Sequence, residues 1–240
     1  MRRSPPTEQG FSLVELAVVL VIVALLSSGL MLGLSAQRDS AANQEVQRQL
    51  DTAREVLLGF AMANGRLPCP AIPTLATGAA NAGLEDRANT NSACNRSHGV
   101  LPWATLGLPE TDPWGQRLSY FVNSRFSAPL TAGAQSSFTL ASGVAPDNAG
   151  LANITNLTVH GSTNVAIEIS AVIVSHGSRS QGAYQPNGGQ LAGAVGDEAE
   201  NADADLTFVA DTPSTDFDDL LTWISPNLLK SRLVAAGKLP

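Results

Sequence analysis

An apolar run from Phe11 to Leu34 that carries one charge, Glu15, constrains this chain more than any other feature. A polar leader, MRRSPPTEQG, precedes it, with Arg2 and Arg3 as its cations, Glu8 as its acid and Gly10 as its last residue. From Leu16 to Leu34 only Ser27 and Ser28 are polar, apart from Gly29 and Gly33. At the helical rise that stretch makes roughly 28 Å, about one hydrocarbon core. Arginines ahead of a spanning helix stay in the cytoplasm, which sends the C-terminus outward. Two readings compete: a secretory signal that is removed, and an anchor that is kept.

The secretory reading meets two difficulties. Its apolar core should be about 7–15 residues long and end on an A-x-A-like site, whereas this run is longer and ends on Leu34-Ser35-Ala36, a weak match. A carboxylate inside an apolar segment also costs on the order of 2–3 kcal/mol on insertion scales, less near the membrane edge. Glu15 acquires a reason if the chain is cut between Gly10 and Phe11. The new amino terminus then opens the helix, with Glu15 just over one turn along it, roughly 6 Å on the axis. In a staggered array of parallel helices, Glu15 of one copy pairs with the terminal ammonium of a neighbour. Away from water that attraction is strong and selects one register.

The sequence G-F-S-L-V-E-L at Gly10–Leu16, followed by the apolar run, resembles the signal of type IV pilins and type II secretion pseudopilins. The resemblance implies that a prepilin peptidase cuts after Gly10 and methylates Phe11, and that Glu15 supports assembly. It implies an α+β, pilin-like fold: a long N-terminal helix packed on an antiparallel sheet. The expected partners are prepilin peptidase, other pilin or pseudopilin subunits and the bacterial inner membrane. The chain then crosses that membrane once, with a cytoplasmic N-terminus and a periplasmic C-terminal domain, before joining a filament. The expected role is structural, a minor pilin or pseudopilin; alternatives are a pilus-borne adhesin and an anchored enzyme. One departure is that no proline interrupts Phe11–Arg66. Gly29 and Gly33 either loosen the helix locally or let helices pack closely.

Four segments follow: leader 1–10, membrane and filament-core helix 11–34, an amphipathic continuation 35–66 and a globular domain 67–240. In the continuation Val46, Leu50, Ala53, Leu57 and Phe60 form an apolar stripe at 4-3-4-3 spacing. Asn64-Gly65 stops the helix, with Pro68 beyond. A break near Ser35–Ser40 is the competing reading. The globular part is large enough for one good core. With 14 basic residues against 21 acidic and a net charge of −7, scattered cations exclude a nucleic-acid binder. Cys69 and Cys94 follow the apolar run, and an even pair in an exported domain most often forms one disulfide. Two buried thiols are the alternative.

Residues 71–97 read as a long loop, with Glu85 and Asp86 solvated rather than cation-binding. Trp103, Leu106 and Leu108 read as anchors beneath it. Asp112-Pro113-Trp114-Gly115 is a turn, in which Asp caps, Pro sets φ and Gly accepts a positive φ. This turn and the aromatic strand after it also resemble a pseudopilin segment. Strands are expected at 118–122, 138–140, 157–159, 165–175 and 206–209. The acids Asp197, Glu198, Glu200, Asp203 and Asp205 read as a solvated loop; some major pseudopilins hold calcium at such a position, but the ligand spacing here is not a calcium pattern. A C-terminal helical pair is expected, the first started by Thr215 and Asp218 with Phe217, Leu220, Leu221 and Ile224 as its apolar face, the second started at Pro226.

No P-loop, H-E-x-x-H, C-x-x-C or G-x-S-x-G occurs. Ser175 and His176 are adjacent in a strand and so point to opposite faces. No catalytic residue, metal ligand or cofactor is expected.

Overall fold

The computed structural model describes residues 12–157, 161 and 163–239, and the side chains of all of these except 27–37. The chain divides into two compact units, residues 1–43 and 44–240. The leader, Gly10 and Phe11 lie outside the described residues.

Helix α1 spans Leu13–Asn64, with no interruption at residues 35–40. In the first unit its large apolar side chains from Leu13 to Leu26 are each at least half exposed, and Leu13 reaches 87 %. Among the described residues no helix is long and apolar enough to cross a membrane; the sequence carries the run on to Leu34, over side chains outside the description.

In the second unit the helix has the expected stripe, with one substitution. Val46, Leu50, Ala53, Leu57, Leu58 and Ala61 are buried. Phe60 is only partly buried and lies under the Arg66 guanidinium, 5.4 Å from its ring centroid. Ala61 takes the inner position that the spacing assigned to Phe60. Gly65 ends the helix at φ +70°, its N–H returning to the Ala61 carbonyl at 2.7 Å. A Cβ at that position would collide with the Gln135 backbone, so both the left-handed turn and the close approach require glycine.

The remaining elements all belong to the second unit. Strand β1 is His98–Val100, α2 is Trp103–Leu106, β2 is Ser119–Val122 and β3 is Ala152–Thr155. Strands β4 (Asn164–Ile169) and β5 (Ala171–Ser175) follow, then the short α3 (Asp197–Glu200), β6 (Thr207–Val209), β7 (Leu220–Ile224) and α4 (Pro226–Ala235). The strands make two sheets rather than the one expected. The first runs β1-β2-β5-β7 and is antiparallel throughout; the second runs β4-β3-β6, with β3 and β6 parallel.

Strand β5 explains the layering. Ala171 and Ile173 face a cluster shared with the helix stripe, Tyr120, Val122, Ile224 and the α4 residues Leu229 and Leu233. Val172 and Val174 face the other way, toward Phe121, Ile154, Ile169 and Phe208 of the intersheet layer. A strand covered on both faces needs no polar alternation, and its five residues are all buried.

Three expectations fail for tertiary reasons. Residues 165–175 are two strands in different sheets, divided at Ser170. In β4 the small Ala166 packs inward, while Val165 and Ile167 are 50 % and 56 % exposed. Phe138–Leu140 is turn rather than strand; Phe138 is buried edge-on against Phe126 at 4.8 Å. Leu220–Ile224 is strand β7 rather than helix, because β5 offers it a ladder from Ala171↔Ile224 to Ser175↔Leu220. Ser225 then caps α4, accepting from the Leu228 N–H at 3.3 Å, with Pro226 as the first helical residue. The strand expected at 157–159 falls largely outside the described residues; Leu157 is buried beside Val209 and Phe217.

Candidate functional site

The N-terminal segment begins with a local device contained in its residue pattern. Ser12-Leu13-Val14-Glu15 is a capping-box sequence. The Glu15 carboxylate accepts from the Ser12 backbone N–H at 3.2 Å, and the Ser12 hydroxyl accepts from the Val14 N–H at 3.3 Å. Glu15 therefore holds its own helix start, close to the positive end of the helix dipole. Beyond Glu15 lies the exposed apolar face of Leu13–Leu26.

Cys69 and Cys94 are joined in a disulfide, with Cα atoms 5.4 Å apart. The loop it closes is tied down by Glu85 and Asp86, which are paired rather than solvated as expected. Glu85 takes a two-point contact from Arg66, at 2.7 and 3.1 Å, and accepts from the Cys69 N–H at 2.7 Å. Asp86 binds Asn95 at 2.7 Å and Arg96 at 2.5 Å. Arg87 lies against Cys69 Sγ at 2.7 Å and donates to the Ser127 carbonyl at 2.9 Å. Trp103 stacks on the backbone at Gly83, φ +73°, where any side chain would overlap its indole. Replacing both cysteines by serine is expected to cost about 3–4 kcal/mol, the loop-closure value for a separation of 25 residues. A urea titration reads this as a lower midpoint.

The D-P-W-G turn forms as expected. Asp112 Oδ1 accepts from the Trp114 and Gln116 N–H groups, both at 3.0 Å, and its other oxygen accepts from Ser175 Oγ at 2.7 Å. Burial raises its carboxyl above the usual range, against the pull of these donors. Next to it Arg117, fully buried, pairs with Glu110 and donates to three carbonyls. Nothing in the sequence singled Arg117 out.

The acidic segment is not uniformly solvated. Glu198 is buried and held by Arg179, which also reaches Asp218 at 3.5 Å. Glu198, Asp218 and Asp219 bring oxygens within 4.8 Å of one another. Burial first, then the Asp218 hydrogen bond and the Asp219 charge, raise the Glu198 carboxyl. Asp203 and Asp205 are exposed. His98 bonds the Asp205 carbonyl through Nε2 at 2.6 Å. His176 meets Ser119 rather than its neighbour Ser175.

The described elements show an α+β chain with an N-terminal helix and an antiparallel sheet. No curated protein and no solved structure matches the chain. Residues 6–31 match the model of the prokaryotic N-terminal methylation motif, so the chain carries the prepilin-type signal of type IV pilins and pseudopilins, which points to a pilin-like or pseudopilin-like structural subunit processed by prepilin peptidase.

Proposed function

We propose that this chain is a minor pilin or pseudopilin of a type IV pilus or type II secretion pseudopilus. Prepilin peptidase cuts after Gly10 and methylates Phe11, the apolar helix anchors the subunit in the bacterial inner membrane, and the same helix then packs among its copies in the filament. The observation that carries this reading is the apolar face of Leu13–Leu26, exposed along its length and headed by Glu15. A face of that kind is costly in water and fits a lipid or helical-partner environment. The arginines of the leader keep the N-terminus cytoplasmic, and the disulfide suits a periplasmic domain. The D-P-W-G turn favours the pseudopilin branch.

The test is the N-terminus of the membrane-extracted protein. It is expected to begin at Phe11 and to carry one methyl group, about 14 Da. A start near Ala36 would return the segment to the ordinary secretory signals and remove the filament reading.

A further inference from the structure

Beside strands β1, β2 and β5, and bordered by the segment 182–204, lies a half-open cavity of about 130 Å³ that the filament reading does not use. Phe121, Val174 and Phe208 give it apolar walls, and Ser119, Arg96 and Asn201 bring polar groups to its lining. It belongs wholly to the second unit.

Ser119 is the first residue of β2 and pairs with Val174 of β5. His176 lies two residues beyond Val174, so the strand period sets it on the same face, diagonal to Ser119. Ser119 Oγ and His176 Nε2 are 2.8 Å apart. On the other side of the ring, His176 Nδ1 faces Asp219 Oδ2 at 3.6 Å. His176 and Asp219 are 1 % and 2 % exposed. Neither His176 Nδ1 nor Asp219 Oδ1 has a hydrogen-bond partner, an expensive arrangement for buried polar atoms that serve only packing. Asp219 is oriented in turn by Asn201 Nδ2, which donates to it at 2.9 Å and to the Val209 carbonyl at 3.0 Å. The order serine, imidazole, carboxylate, orienting amide is that of an activated nucleophile, and a base–acid spacing somewhat beyond a hydrogen bond is usual before substrate binds. The neighbouring Ser175 is excluded, since it points to the opposite face and bonds Asp112.

We propose that Ser119, His176 and Asp219 form a nucleophile–base–acid set that hydrolyses short-chain acyl esters bound in this cavity. Ser119 Oγ attacks the ester carbonyl while its proton passes to His176 Nε2. The carbon–oxygen bond to the alcohol breaks, and the alcohol leaves with the proton from His176. Water then attacks the acyl-serine, giving a proton to His176 Nε2, which returns it to Ser119 Oγ as the carboxylic acid departs. Asp219 is a positioning residue: beside Nδ1 it favours the tautomer whose Nε2 lone pair faces Ser119 and stabilises the imidazolium. The small volume of the cavity, about 130 Å³, favours a short acyl group. This inference stands apart from the filament reading, because none of its groups lies in residues 1–43.

The test is acylation of the detergent-solubilised full chain by p-nitrophenyl acetate, with covalent capture by a fluorophosphonate probe and the adduct mapped by mass spectrometry. The probe is expected on Ser119, and p-nitrophenyl acetate is turned over much faster than the palmitate ester. Ser119→Ala loses the adduct; His176→Ala slows capture at least about a thousandfold and Asp219→Asn about a hundredfold or more. The rate of the unaltered chain follows one ionisation that the His176→Ala profile lacks, and Asp219→Asn displaces it, which a purely structural carboxylate would not do. No adduct on folded, disulfide-bonded chain, an adduct on any other serine, or equal rates in His176→Ala overturns the assignment. Since the unaltered chain alone can give the first two results, a variant that unfolds does not shelter the proposal.

Discussion

Replacing Glu15 with valine is expected to leave the subunit inserted in the membrane and to keep it out of the filament. Two opposing terms set this outcome. Insertion gains from removing a carboxylate from an apolar helix, on the order of 2–3 kcal/mol on insertion scales and less at the membrane edge. The helix start loses its capping contact to the Ser12 N–H, about 1 kcal/mol. Neither term prevents anchoring, so any loss of assembly reports a contact between copies. Glu15→Gln separates charge from cap, since an amide oxygen still accepts from Ser12 while no longer attracting a neighbour's ammonium. On the register argument Gln fails as completely as Val. Incorporation of Glu15→Gln at the normal level, measured as the ratio of sheared-filament to membrane protein, would assign Glu15 to its own helix alone.

The largest stability loss is expected from Arg117→Met. Arg117 is fully buried and its guanidinium binds Glu110 Oε1 at 2.7 and 3.0 Å, the Pro73 and Leu75 carbonyls at 2.9 and 2.7 Å and the Pro186 carbonyl at 3.1 Å. Its Cζ also lies 4.6 Å from the Trp103 ring centroid. Three loop segments are thus held by one cation. Methionine fills much of the volume but leaves the largely buried Glu110 carboxylate without its cation and the Pro73 and Leu75 carbonyls without the guanidinium donor, while Thr77 still donates to Glu110 and Pro186. Breaking a buried pair by removing one partner costs about 3–5 kcal/mol, seen as a lower denaturation midpoint at unchanged slope. Adding Glu110→Gln should recover part of the loss, because the stranded charge goes with it. The exposed Arg232–Glu55 pair, 3.3 Å apart with side chains 44 % and 60 % exposed, provides the contrast; Arg232→Ala should cost no more than about 1 kcal/mol.

Features set by local chemistry are those the structure shares with the sequence pattern. The stripe Val46–Leu57, the stop at Gly65, the turn at Asp112 and the Pro226 helix start each depend on residues within a few positions of one another, and each forms. The same locality explains the misses. Leu220–Ile224 has apolar residues that suit either period, and only the free edge of β5 makes it a strand. Glu85 and Asp86 look solvated until Arg66 and Arg96, 19 and 10 positions away, close on them. The capping box at Ser12–Glu15 is local in the same way as the stripe and the turn, and its residues are legible in the sequence.

The sequence by itself determined the match to the N-terminal methylation motif at residues 6–31, because such a signal is a fixed spacing of residues along one contiguous stretch of chain. It also determined the position of the cysteine pair and the apolar face of the helix from Val46. Only the tertiary structure decided that the strands divide into two sheets and that Arg117 ties three loops. It alone brought Ser119 to His176 across 57 positions of chain. Those contacts depend on strand register and loop closure, whose free energy comes from burying groups far apart in sequence. No local pattern encodes that choice.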